Sequence, residues 1–164
     1  MAKTKTAVKS KTSEATFRHA NVSDAEEIQK LVNYYAKKQQ MLARSLNDIY
    51  ENIRDFMVIE KKGKIIATGA LHICWSDLAE IRSVAVAPRY VKKGYGKMIV
   101  GEALEEAVTL NIPRIFVLTY QPGFFEKMGF NRIDMAELPK KIWADCIKCV
   151  HFPNCNEIAM RVEL

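Results

Sequence analysis

Residues 79–97 read AEIRSVAVAPRYVKKGYGK, and this run decides the fold because a strand, a basic turn and a helix follow one another in it without interruption. Over 80–86 the side chains alternate in a β-rich stretch. Glu80, Arg82, Val84 and Val86 are therefore expected on one face and Ile81, Ser83 and Ala85 on the other. Pro88 ends the ladder, having no N–H to give it. Arg89, Lys92 and Lys93 lead into Gly94-Tyr95-Gly96, after which Ile99, Val100, Ala103, Leu104, Ala107 and Val108 recur at helical spacing. A strand thus delivers the chain to a helix N-terminus through a glycine turn.

Such a turn has a chemical use. The first N–H groups of a helix lack internal partners and the macrodipole adds positive potential, so an anion is favoured there. Glycine lets a ligand approach the backbone closely. Arg89, Lys92, Lys93 and Lys97 concentrate charge on the same few residues, which suits a pyrophosphate better than a single carboxylate. A helix start with a solvated basic face is the plainer reading of the same residues. Neither G-x-G-x-x-G nor G-x-x-x-x-G-K-[ST] occurs here, which argues against a Rossmann site and a P-loop.

The run resembles motif A of the GNAT acetyltransferase superfamily, in which a strand ending Ala-Val is followed by [QR]-x-x-G-x-[GA] and a helix. Ala85-Val86 and Gly94-x-Gly96 match, while Val91 stands where Gln or Arg is usual. The resemblance implies that acetyl-CoA is the co-substrate and that its pyrophosphate is held by backbone N–H groups of residues 91–96. Cofactor contacts are accordingly expected from Val84, Ala85, Val86, Val91, Lys92, Lys93, Gly94, Tyr95, Gly96 and Lys97. Phe124-Phe125-Glu126-Lys127-Met128-Gly129-Phe130 resembles the family's motif B, with Phe125 in place of the Tyr that protonates the departing thiolate in many relatives. Tyr120 is the nearest hydroxyl in sequence and the expected substitute, with solvent as its rival.

Glu80 is the sharpest catalytic candidate. An amine acceptor is mostly protonated at neutral pH, so acetyl transfer needs a base, and a carboxylate can serve directly or through a water. The superfamily places its general base at the glutamate corresponding to Glu80; an ion-paired glutamate in a sheet is the alternative. Arg82, two residues on, should point to the same side unless a bulge intervenes, and could either hold a substrate carboxylate or neutralise Glu80.

The length of 164 residues suits one domain with a real core. Neither a membrane-length apolar run nor a signal-peptide core is present, so a cytoplasmic protein without a membrane partner is expected. Of the formal charge of +6, half belongs to residues 1–16, where Lys3, Lys5, Lys9 and Lys11 face only Glu14. The body is mildly basic, which an anionic small molecule explains as well as nucleic acid does, and no nucleic-acid partner is expected. A homodimer is left open.

Residues 1–14 have almost nothing to bury and read as a disordered basic tail, leaving 15–164 as the domain. A strand is expected from Thr16, then a helix opened by a Ser23-x-x-Glu26 capping box and burying Ile28, Leu31, Val32 and Tyr35. A second helix is expected over 45–53. Strands over 56–60 and 64–75 form a hairpin about Lys62-Gly63, a buried strand covers 114–119, a short helix 124–127 and a last strand 156–162. The fold class is α+β, or mixed α/β: a mostly antiparallel sheet flanked by helices.

Cys146-x2-Cys149-x-His151-x3-Cys155 contains zinc-ligand types, but Cys149 and His151 are too close for a good second half-site. Reduced cysteines packing a loop are the preferred reading over a structural zinc site, and no metal is required for the chemistry.

Residues 16–164 resemble, more narrowly, the short single-domain amino-acid N-acetyltransferases of the N-acetylglutamate synthase type. The markers are Arg44-Ser45-Leu46, Ile53-Arg54-Asp55-Phe56, Glu80-Ile81-Arg82-Ser83, Leu118-Thr119-Tyr120, and Leu138-Pro139-x-Lys141-x-Trp143 with the cysteine loop through Glu157-x-Ala159-Met160. This resemblance implies transfer to the α-amine of L-glutamate, the first step of arginine biosynthesis, with Arg44 helping to bind glutamate. Nothing in these residues resembles the kinase-like domain with which larger synthases sense arginine. A peptide or protein amine acetyltransferase and a non-catalytic acetyl-CoA sensor are the alternatives.

Overall fold

The computed structural model describes residues 14–140, 142 and 156–164; the expectations for the basic tail before residue 14, and for Lys141, Trp143, Cys146, Cys149, His151 and Cys155, lie outside them. The sheet is seven-stranded in the order β1-β2-β3-β4-β5-β7-β6. Its strands are β1 (Thr16–His19), β2 (Phe56–Lys61), β3 (Lys64–Trp75), β4 (Leu78–Val86), β5 (Arg114–Thr119), β6 (Asn131–Arg132) and β7 (Ile158–Glu163). Every pairing is antiparallel except β4 with β5, because the chain between those two is a crossover that carries a helix. The α+β expectation holds.

The helices are α1 (Ala25–Ala36), α2 (Leu46–Glu51), α3 (Tyr95–Thr109) and α4 (Pro122–Glu126). One face of the sheet packs on α3, with Ile81, Ile99, Val100, Ala103 and Ile115 in its core. The other carries two smaller clusters. Ile28, Val32, Ile49, Phe56 and Val58 lie under α1 and α2; Leu78, Phe116, Leu138 and Ile142 lie nearer the C-terminus. Glu80 and Arg82 belong by alternation to this second face.

The start of α1 departs from expectation. The capping box is formed by Asn21 and Asp24, not Ser23 and Glu26: the Asn21 side chain accepts from the Ser23 N–H and the Asp24 carboxylate accepts from the Asn21 N–H at 2.8 Å. Asp24 prevails because it is also held by the Arg18 guanidinium at 2.7 and 2.8 Å, which in turn reaches Glu60. A helical turn over Val22–Asp24 therefore precedes α1.

This network makes a pH prediction. Arg18 holds the Asp24 carboxyl below the ordinary carboxylate range, against the opposing effect of burial. A depressed folded pKa contributes stability that is present above the unfolded value and lost as the pH falls through the folded one. Asp24→Asn keeps an acceptor for the cap but loses the charge. Urea melts should show it less stable by about 1–3 kcal/mol at pH 7, with the gap closing as the pH falls below the ordinary carboxylate range.

Strand β4 also departs from simple alternation. Ala70 pairs with Arg82 and Thr68 with Ala85, so Gly69 alone faces both Ser83 and Val84. This is a β-bulge, and Ser83 sits at φ 57°, in the left-handed region. The extra residue reverses the parity. Val84 and Val86 pack with Ile81 on the α3 face, and do not share a face with Glu80 and Arg82 as the unbroken pattern implied. Gly69 permits it: a Cβ there would lie 2.4 Å from Ile99 Cγ2.

Candidate active site

Strands β4 and β5 part company. They pair over Leu78, Ala79 and Glu80 against Arg114, Ile115 and Phe116, and no further. Beyond Glu80 the two diverge, leaving a cavity of about 440 Å³ between residues 81–86 on one side and 117–120 on the other. That volume is within the range of small-molecule sites. An extended ligand carrying its own amides suits such a cleft, because the strand edge of β4 offers it backbone partners.

At the wide end of the cleft stands the N-terminus of α3. Lys92 at φ 60° and Gly94 at φ 89° turn the chain twice through the left-handed region, with Gly94 as the N-cap of α3. Alternation of this kind turns successive N–H groups inward and forms a nest for an anion. The first turn contains no acidic residue. Lys92, Gly94, Gly96 and Lys97 line the cavity, as do Val84, Ala85, Val86 and Val91. Lys93 and Tyr95 stand beside it: the Lys93 ammonium lies 5.5 Å from the centre of the Tyr90 ring, and Tyr95 meets the same ring edge-on.

Glu80 is not among the residues lining the cavity: it occupies the last paired position of β4, where Arg82, which does line the cavity, reaches it at 3.6 Å, the two side chains being 14% and 15% exposed. Arg44 approaches from the loop before α2. Its Nε donates to Ser83 Oγ at 3.3 Å and its Nη1 contacts Asp48 at 3.2 Å. The Arg44 backbone is fastened to α1 on both sides, with its N–H on the Asn33 side chain and its carbonyl accepting from Asn33 and Gln29. The bulge is what makes this meeting possible, since it presents the Ser83 hydroxyl to Arg44 immediately after Arg82.

Tyr120 follows β5 and lines the cavity together with Phe124 and Phe125. Phe125 is buried in a cluster with Phe124 and Phe130, at ring separations of 5.0 and 5.3 Å; there it fills the core rather than supplying a hydroxyl. Two features escape a reading of motifs. Tyr35 donates its hydroxyl to the Val86 carbonyl, tying α1 to the rim of the cleft, and burial raises its pKa. His72 on β3 lies opposite Glu80, with Nδ1 2.7 Å from Asp55 Oδ2. A histidine in the mainly apolar stretch Gly69–Trp75 was the available signal.

Among the described residues no group of histidine, cysteine, aspartate and glutamate is placed to hold a metal, and no helix is long and apolar enough to cross a membrane.

The model of the Acetyltransferase (GNAT) family matches residues 22–130, which span both motifs and every residue lining the cleft except Glu157. The chain belongs to the GNAT acetyltransferase family. This GNAT enzyme is 40% identical over 143 residues to an uncharacterized N-acetyltransferase of Chlorobaculum tepidum, covering 87% of this chain and 92% of the relative. It is 42% identical over 129 residues to the amino-acid acetyltransferase of Mycobacterium tuberculosis, covering 77% and 74%. Among solved structures it is similar to Rv2747 of M. tuberculosis, solved in complex with CoA and a second ligand, with a TM-score of 0.80, 33% identity and coverage of 91% and 99%. The acetyl donor of this GNAT enzyme is acetyl-CoA. The nest at α3 and the splayed edge of β4 are the two features of its cleft that suit an anionic, amide-bearing ligand.

Proposed function

We propose that this enzyme acetylates the α-amine of a small acidic amino acid, L-glutamate above all, and that it works in the cytoplasm at the first step of arginine biosynthesis, without a nucleic-acid or membrane partner. The observation that carries the reading is the Glu80–Arg82 pair where β4 and β5 part, with the Arg44 guanidinium hydrogen-bonded to Ser83 one residue further along β4. A dicarboxylic acceptor brings two negative charges towards an anionic cofactor and a carboxylate base. It therefore needs compensating cations, and planar forks suit carboxylates. The relatives named as amino-acid acetyltransferases support the same acceptor class.

The proposed roles are these. Residues 91–97 take the pyrophosphate, and the edge formed by 84–86 takes the extended arm, so that the thioester lies towards Glu80. Glu80 removes a proton from the acceptor ammonium. The amine nitrogen then attacks the thioester carbonyl, the new C–N bond forms and the C–S bond breaks. The CoA thiolate takes its proton from the Tyr120 hydroxyl or from water, Phe125 having none to give. Arg44 and Arg82 hold the acceptor carboxylates. The domain is proposed to span residues 15–164, with the preceding tail outside the chemistry.

Isothermal titration should give acetyl-CoA binding below millimolar Kd, and a thiol-release assay over the common amino acids should rank glutamate first. No binding at millimolar acetyl-CoA would end the reading. Faster turnover of peptides than of free amino acids would replace the acceptor with a protein amine, and binding without turnover on any amine would leave a sensor.

A further inference from the structure

The Asp55–His72 pair stands beside the proposed base, and no step described so far uses it. His72 and Glu80 are directly opposite one another on β3 and β4, in a stretch where the register is regular from Ala70↔Arg82 to Ile73↔Ala79. Directly opposed residues put their side chains on the same face with Cβ atoms about 5 Å apart. Asp55, from the helical turn Ile53–Asp55, holds Nδ1 of the ring at 2.7 Å. That bond favours a proton on Nδ1 and leaves Nε2 as the acceptor of the neutral ring. The side chains of His72 and Asp55 are 29% and 26% exposed, about twice as open as Glu80 and Arg82.

We propose that His72, held by Asp55, carries away the proton that Glu80 takes from the acceptor amine. This rests on Glu80 being the base. Glu80 is poorly exposed and neighbours Arg82, and with donor and acceptor bound the cleft offers it little water. Each turnover nevertheless leaves a proton on its carboxylate, which must go before the next. An imidazole nitrogen is a competent acceptor for that proton. The Glu80 O–H bond breaks, an N–H bond forms at Nε2, and the imidazolium, hydrogen-bonded to Asp55, then gives up one proton to water. The charged groups around the ring are Asp55 from the turn before β2, and Glu80 and Arg82 from β4; on its own strand Cys74 Sγ donates to the His72 carbonyl at 3.5 Å. Asp55 is a positioning residue in this scheme, and its pairing with His72 also staples the turn to β3.

The test uses the full chain with saturating acetyl-CoA and the amino acid it turns over fastest, in dilute buffer between about pH 6 and 8. His72→Ala should lower kcat about tenfold or more, leave both KM values within about twofold, and recover when imidazole is added. His72→Gln should lose kcat alike without the cavity that admits imidazole. An unchanged kcat in both variants would overturn the proposal. So would a raised acceptor KM with unaltered kcat, which would make the ring a substrate ligand, or a loss that imidazole does not restore together with a lowered melting temperature, which would make the pair a staple only. Glu80→Gln measured alongside separates the layers: if it is fully active, the base assignment fails, whereas an impaired Glu80→Gln with an unimpaired His72→Ala removes the relay alone.

Discussion

Glu80→Gln should bind acetyl-CoA as the wild type does and turn over about 10² to 10⁴ times more slowly. Glutamine has nearly the same shape and can still accept a hydrogen bond from Arg82, so the cleft should keep its form. What it cannot do is take a proton from an ammonium group. An α-amine titrates near pH 8, and below that value deprotonation is part of the barrier. The deficit should therefore be largest at neutral pH and shrink as the pH rises and free amine becomes abundant. Titration calorimetry for acetyl-CoA and a kcat profile against pH measure the two halves of the claim. A kcat equal to the wild type throughout would move the base role to water.

Arg82→Ala and Arg44→Ala should each raise the KM for glutamate steeply while leaving that for acetyl-CoA nearly unaltered. Removing one partner of a desolvated carboxylate–guanidinium pair costs about 2–5 kcal/mol, which corresponds to a factor of about 30 to several thousand in affinity. The two arginines differ in their surroundings. Arg82 touches Glu80, so its loss should also lower kcat by disturbing the base. Arg44 is held by Ser83 on β4 and by Asp48 in the adjoining α2, and its effect should be confined to the acceptor. Arg44→Lys keeps the charge without the planar fork and should recover only part of the loss. An unaltered glutamate KM in the arginine variants, or a preference for lysine or an uncharged amino acid, would remove the glutamate assignment and leave acetyl transfer standing.

Much of this arrangement is legible from local pattern. The turn after β4 could be read because glycine, proline and lysine act at short range: Gly94 permits φ 89° at the cap of α3 whatever packs around it. The hairpin between β2 and β3 is of the same kind, with Lys62 and Gly63 at φ 51° and 74°. The helix start at α1 was misplaced for a reason equally physical. A Ser-x-x-Glu pattern is a competent cap, but Arg18 and Glu60 lie on β1 and β2, and their claim on Asp24 exists only once those strands have paired.

The sequence by itself determined the order of elements, the glycine turn into a helix start, the presence of a glutamate and an arginine on one face of one strand, and the family. These depend on neighbours within a few residues, or on motifs that keep their spacing. Tertiary structure decided where β4 breaks its alternation, because the bulge at Ser83 is set by Gly69 on another strand and by the close approach of Ile99. It also decided that β4 and β5 separate after Glu80, that Arg44 is brought to Ser83 across 39 residues of chain, and that Asp55 and His72 meet beside Glu80. Such contacts join residues far apart in the chain, and no periodicity or spacing within a segment records them; they exist only once the apolar faces of α1, α2 and α3 are buried against one sheet.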